Sequence, residues 1–141
     1  MQQIRILVVD DSVTMRAMIE TLLERDNRIS IVGIARNADE AFQMIDDLDP
    51  DVVTLDVAMP GKDGMALLDE IMASRRPKPV IMLSSLMREG SDIIDQAIAH
   101  GAAACFNKAM VVREANKLIQ LIGDVASGKV ANAGGGMSRA A

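Results

Sequence analysis

Five polar residues stand where apolar runs of strand length end: the pair Asp10-Asp11 after Ile4–Val9, Asp56 after Asp51–Leu55, Ser84 after Val80–Leu83, and Lys108 shortly after Ala102–Phe106. Three carboxylates at one edge would repel and raise one another's pKa unless a cation intervened. Carboxylate oxygens with no His or Cys beside them suit a hard ion, Mg²⁺ before Ca²⁺. Such an ion keeps several waters and readily takes phosphate oxygens. With Lys108 and Ser84 added, the set suits a tetrahedral oxyanion carried on an aspartate, and carboxylates are competent to form aspartyl-phosphates. Each residue alone has a plainer reading. An acidic pair after a strand can cap a helix, Asp56 can be a turn residue, Ser84 can cap a turn, and Lys108 can be a solvated lysine. The four strand ends taken together favour the chemical reading.

The elements that must position these residues are legible as alternating patterns. Ile4–Val9 reads as a first strand, and Met15, Met18, Ile19, Leu22 and Leu23 follow at helical spacing, with Ser12 as the N-cap. Ile29–Ala35 reads as a second strand. Asn37-Ala38-Asp39-Glu40 then resembles a capping box opening a helix that buries Ala38, Ala41, Phe42 and Ile45. Leu and Val on both sides of Thr54 predict a third strand covered on both faces. After the Gly61–Gly64 turn, Leu67, Leu68, Ile71 and Met72 mark a third helix, ended by Pro77 and Pro79. Val80–Leu83 is a fourth strand, and a loop with Arg88-Glu89-Gly90 leads to a helix carrying Ile93, Ile94, Ala97 and Ile98. Gly101 is its C-cap, with His100 as a helix-end residue suited to the dipole. Ala102–Phe106 is a weak fifth strand, and Val111, Ala115, Leu118, Ile119 and Ile122 mark a last helix. Five strands alternating with five helices predict an α/β fold of three layers, a parallel five-stranded sheet with helices on both faces. Function then gathers at the carboxyl ends of the strands.

The totals bound the rest. The 141 residues suit one domain with a sizeable core. We place it at 1–125, followed by a flexible Ala- and Gly-rich tail at 126–141 that includes Gly134-Gly135-Gly136. The net charge of −5 gives no sign of a nucleic-acid surface. A single Cys excludes an intrachain disulfide framework and fits a reducing compartment. Cys105 itself reads as a small buried hydrophobe. No apolar run has a membrane span's length, and Met1–Arg5 lacks the apolar stretch of a signal peptide, so the expectation is a cytoplasmic protein. Aromatics are scarce while Met numbers 11, which predicts an adaptable core.

The combination Val8-Val9-Asp10-Asp11-Ser12, Asp56-x-x-Met59-Pro60-x-x-Asp63-Gly64, Ser84 and Lys108 resembles the response-regulator receiver domain of two-component signalling, over roughly Ile4 to Ile122. Thr54-Leu55-Asp56-Val57, Ser84-Ser85-Leu86 and Gly90-Ser91 look most like the receiver half of chemotaxis protein-glutamate methylesterases. After Ile122 too few residues remain to build their catalytic domain. The resemblance implies a flavodoxin-like strand order 2-1-3-4-5. It also implies a single-domain regulator whose Asp56 accepts a phosphoryl group from a sensor histidine kinase or a histidine phosphotransfer protein. Asp11, Asp56 and the Ala58 backbone carbonyl would hold Mg²⁺, with Asp10 acting partly through water, and Lys108 and the Ser84 hydroxyl would hold the phosphoryl oxygens. Such a receiver is a self-catalysed phosphoacceptor rather than an enzyme. Its downstream protein partner would dock on the fourth helix, fifth strand and fifth helix, with no nucleic acid or membrane involved.

Two positions depart from the family pattern. Ala109 replaces the proline that usually follows the lysine, which predicts a trans Lys108-Ala109 bond and a somewhat altered loop. Cys105 stands at the position of the switch aromatic that works with Ser84, and Phe106 faces the other side of the strand. Ala58 and Leu86 are expected to tune the phosphate's lifetime by controlling water access. Competing readings are a receiver-like scaffold that is never phosphorylated, and a phosphate sink that drains a kinase. An aspartate-nucleophile phosphatase would need an acid where Ala58 stands, and a dinucleotide enzyme a Gly-rich turn where Asp10-Asp11-Ser12 stands.

Overall fold

The computed structural model describes residues 3–59, 61, 63–85, 92–128 and 136–137. Pro60, Leu86, the Arg88–Gly90 loop with Ser91, and most of the tail lie outside the described residues. Five parallel strands, β1 (Ile4–Val9), β2 (Ile29–Ala35), β3 (Val52–Asp56), β4 (Val80–Ser84) and β5 (Ala104–Asn107), stand in the order 2-1-3-4-5. They alternate with α1 (Val13–Leu23), α2 (Ala38–Leu48), α3 (Gly64–Ala73), α4 (Asp92–Ala99) and α5 (Ala115–Ala126). A sixth strand was not foreseen. β6 (Gly136–Met137), within the tail expected to be flexible, pairs antiparallel with β5.

Because side chains of a strand alternate between faces, the sheet carries two apolar layers. Leu7, Val9, Val53, Leu55, Val80, Met82 and Cys105 pack with α2, α3 and α4. Ile6, Val8, Val52, Ile81, Leu83, Ala104 and Phe106 pack with α1 and α5. Phe106 thus lies across the sheet from Cys105, as the alternation requires. β3 is buried throughout, in keeping with a central strand covered on both sides.

The helix starts follow local chemistry. The hydroxyl of Ser12 accepts from the Met15 N–H at 3.2 Å, and the Asn37 side chain accepts from the Glu40 N–H at 2.8 Å. The expected capping box is shifted by one residue, since the Glu40 carboxylate accepts from the N–H of Arg36. Phe42, expected in the core, is 41% exposed on α2. The inward positions there belong to Ala38 and Ala41, small residues that let the helix lie close to the sheet. Gly101 has φ +106°, the left-handed conformation a C-cap needs. His100, expected only as a helix-end residue, pairs through Nδ1 with Asp69 of α3. Among the described residues, no helix is long and apolar enough to cross a membrane.

Candidate functional site

Three strands deliver polar side chains to one end and one face of the sheet. Ile6 and Val8 lie in the α1–α5 layer, and two residues on, by the same alternation, is Asp10. Val52 lies in that layer, and two such steps along β3, through Thr54, reach Asp56. Ala104 and Phe106 lie there too, and two residues on is Lys108. The three residues meet as this parity demands. Lys108 Nζ stands 2.9 Å from Asp10 Oδ2 and 3.0 Å from Asp56 Oδ2. Asp10 is 1% exposed and Asp56 2%, so the ammonium bridges two buried carboxylates.

Backbone donors fix the remaining oxygens. Asp10 Oδ1 accepts from the Ser12 N–H at 2.8 Å, and Asp56 Oδ1 accepts from the Ala58 N–H at 3.2 Å. Asp11 stands exposed, and one oxygen each from Asp10, Asp11 and Asp56 lie within 4.8 Å of one another. Three carboxylates facing one ammonium leave two negative charges uncompensated when all are ionised. A donor set made only of oxygens, with that residual charge and an open side at Asp11, fits a hard divalent cation. Both oxygens of Asp10 and both of Asp56 already have contacts, so the exposed Asp11 is the most open of the three to such an ion.

The electrostatics follow from burial. Desolvation pushes the Asp56 carboxyl above its ordinary range, and the charge of Asp10 adds to this. The Lys108 ammonium and the Ala58 N–H pull the other way without cancelling it. Burial pulls Lys108 down, but its contacts with Asp10 and Asp56 outweigh that and raise it. A cation in the site would oppose the first shift and favour the ionised carboxylate of Asp56.

The other expected residues fall as follows. Ser84 ends β4, buried, opposite Asn107 in the register and one residue beyond the Asp56–Leu83 pair. It therefore sits at the same strand edge. Ala58 lies exposed beside Asp56 and contributes its N–H. Cys105 is fully buried in the α2–α4 layer, with its thiol pushed up to about 12 by burial, which makes it an inert core residue at neutral pH. Lys108-Ala109 is trans, and Lys108 reaches both carboxylates without a proline behind it. The Asn107 side chain accepts from the Ala109 N–H at 2.9 Å and closes a short 3-10 turn over Lys108–Met110.

Three supporting groups escaped the sequence reading. The Ser12 N–H orients Asp10, an Asx-type bond that the Asp-x-Ser spacing could have suggested. Arg16 donates to the Asp10 backbone carbonyl at 2.8 Å, which its place one helical turn along α1 only faintly signals. Gly64 belongs to the turn and to the family motif already quoted, but its close approach to the end of β3 went unread. A Cβ built there would lie 2.2 Å from the Asp56 carbonyl oxygen and 2.8 Å from Val57 Cα.

Comparison with known proteins agrees with this arrangement. Residues 6–122 match the response regulator receiver domain. A protein-glutamate methylesterase/protein-glutamine glutaminase of Symbiobacterium thermophilum is 52% identical over 99 residues, covering 70% of this chain and 27% of the relative. One from Methanococcus maripaludis is 35% identical over 136 residues, covering 92% of this chain and 37% of the relative. The chain thus spans about a quarter to a third of the length of these relatives. The crystal structure of the response regulator domain of Thermotoga maritima CheB superposes with a TM-score of 0.84 at 33% identity, covering 89% of this chain and 98% of that one. A sheet in the order 2-1-3-4-5, an acid–lysine cluster at its carboxyl edge and these matches agree: the chain belongs to the response regulator receiver family.

Proposed function

We propose that Asp56 is a phosphoacceptor and that the receiver unit (about 1–125) carries every residue the transfer needs. The observation that carries this reading is the buried Asp56 carboxylate, paired with Lys108 at 3.0 Å and clustered with Asp10 and Asp11. An Asp56 carboxylate oxygen attacks the phosphorus of a phosphohistidine on a sensor kinase or phosphotransfer protein. The new O–P bond forms as the P–N bond breaks, and the imidazole leaves as the neutral ring after taking a proton. Asp11, Asp56 and the Ala58 carbonyl would hold Mg²⁺, with Asp10 assisting through water, and the bound ion would supply positive charge against the repulsion between the two anions. Lys108 moves its ammonium from the carboxylates to the phosphoryl oxygens, and Ser84 donates its hydroxyl to another.

The donor has an apolar surface to dock against. Val13 is 71% exposed and Val112 55%. With Ala17 and Met18 they line a shallow groove between α1 and the turn before α5, directly beside the segments that carry Asp11 and Lys108. Phosphorylation adds about −1.5 to −2 charges at the strand ends. The response then passes through Ser84 and the packing around Cys105 to a protein partner on α4, β5 and α5.

The test is covalent labelling. Acetyl phosphate with Mg²⁺ is expected to add one phosphoryl mass to the wild type, and none to Asp56→Asn or to wild type in excess EDTA. Labelling that persists in Asp56→Asn sinks the assignment, and partner binding that is equal for wild type and Asp56→Ala favours a scaffold role.

A further inference from the structure

The outer edge of β5 is not bare. A strand at the edge of a sheet presents unpaired N–H and C=O groups that invite another strand. Ala103, just before β5, donates its N–H to the Val80 carbonyl on the β4 side. Alternation along the strand then turns Cys105 toward β4, and the N–H and C=O of Ala104 and Phe106 outward. On that outward side β6 sets Gly136 opposite Phe106 and Met137 opposite Cys105, and β6 also approaches α5. Phe106–Gly136 is therefore the position at which the two strands exchange backbone hydrogen bonds.

We propose that the outer edge of β5 is a strand-accepting surface that the chain's own C-terminal segment occupies, so that the tail competes with any protein that docks there. Calling that edge part of the output face rests on the reading given under Proposed function; its occupation by the tail does not. Three features suit a removable occupant rather than a permanent strand. Among the described residues the pairing covers two. The segment leads in through Gly134-Gly135-Gly136, and glycine has little intrinsic preference for a strand. Among the described residues, every core residue lies between Ile6 and Val125. Tethering compensates for the weak pairing. β6 begins ten residues after the end of α5, and a segment held this close acts at an effective concentration on the order of millimolar. A free peptide at micromolar concentration cannot displace it, whereas a partner that also contacts α4 and α5 can.

The experiment uses the full chain and Gly136→Pro, which removes the N–H that Gly136 donates. In wild type the Phe106 amide is expected to exchange with solvent at least about tenfold more slowly than in the variant. The Ala103 and Cys105 amides, which face β4, stay equally protected in both and report that the variant is folded. A synthetic peptide covering 129–141, fluorescently labelled and used at micromolar concentration, is expected to bind Gly136→Pro and to bind wild type at least about tenfold more weakly. Equal Phe106 exchange in the two proteins, or equal peptide binding, overturns the proposal. Neither measurement uses phosphorylation, so its failure is separate from a failure of labelling at Asp56.

Discussion

The two ends of the sheet hold the same pair of residue types with opposite results. At the amino end Asp49 pairs with Lys78, while Arg5 donates to the Asp49 carbonyl at 2.8 Å and, through its N–H, to Asp51 at 2.9 Å. The Asp49 carboxylate is half-exposed although Lys78 is largely covered, and the Lys78 ammonium holds the Asp49 carboxyl below its ordinary range. At the carboxyl end Asp56 pairs with Lys108 at 3.0 Å, yet its carboxyl is pushed up. Burial makes the difference, because desolvation and a second carboxylate outweigh one ammonium. The Asp49 carboxylate is left half in water, whereas Asp56 is taken out of water and left with more negative charge than its lysine cancels.

Breaking each pair tests this contrast. Lys108→Met keeps the volume and strands two buried carboxylates. It is expected to cost about 3 kcal/mol, a fall in Tm of roughly 10 °C by thermal denaturation, and to remove acetyl-phosphate labelling. Asp56→Asn works in the opposite direction. Without divalent ions it is expected to raise stability by about 1 kcal/mol, because it deletes a disfavoured charge and leaves Lys108 paired with Asp10. Adding Mg²⁺ to roughly ten times its Kd is expected to stabilise wild type by about 1 kcal/mol and Asp56→Asn much less. Equal stabilisation of both would move the cation elsewhere. Lys78→Ala, at the solvated end, is expected to leave Tm within the scatter of repeated scans at moderate salt.

A pH series sharpens the same point. A carboxyl whose folded pKa is raised weakens the fold as pH climbs from the unfolded value through the folded one, since the folded state gives up its proton less readily. Asp49, with its pKa lowered, adds stability above the unfolded value and loses it as pH falls through the folded one. The stability advantage of Asp56→Asn over wild type in metal-free buffer is therefore expected to shrink as pH falls through the raised folded pKa and to be gone below the unfolded value of about 4. A gap that stays constant would mean that Asp56 carries no burial penalty.

Much of this was legible in the chain. Apolar runs ended by Asp10, Asp56, Ser84 and Lys108 mark strands and their functional edge, because a charge at the end of a buried strand is unfavourable without a partner. The caps at Ser12 and Asn37 depend only on neighbours in sequence, and both form. Features that need distant neighbours stayed hidden. The outward turn of Phe42 depends on how closely α2 approaches the sheet through Ala38 and Ala41. The pairing of His100 with Asp69 depends on where α4 ends relative to α3. β6 depends on an open edge of β5, which the Gly-rich tail does not advertise.

Gly64 carries a mechanical implication. Its N–H donates to the Val57 carbonyl at 2.9 Å, and the space where a side chain would begin is filled by the backbone of Asp56. The first turn of α3 therefore rests directly on the carbonyl of the proposed acceptor, with no compressible side chain between them. Interiors this dense transmit displacement instead of absorbing it. A shift of a few tenths of an ångström at the end of β3 must register at the start of α3, which makes that helix a gauge of the state of Asp56 within the layer it shares with α2 and α4.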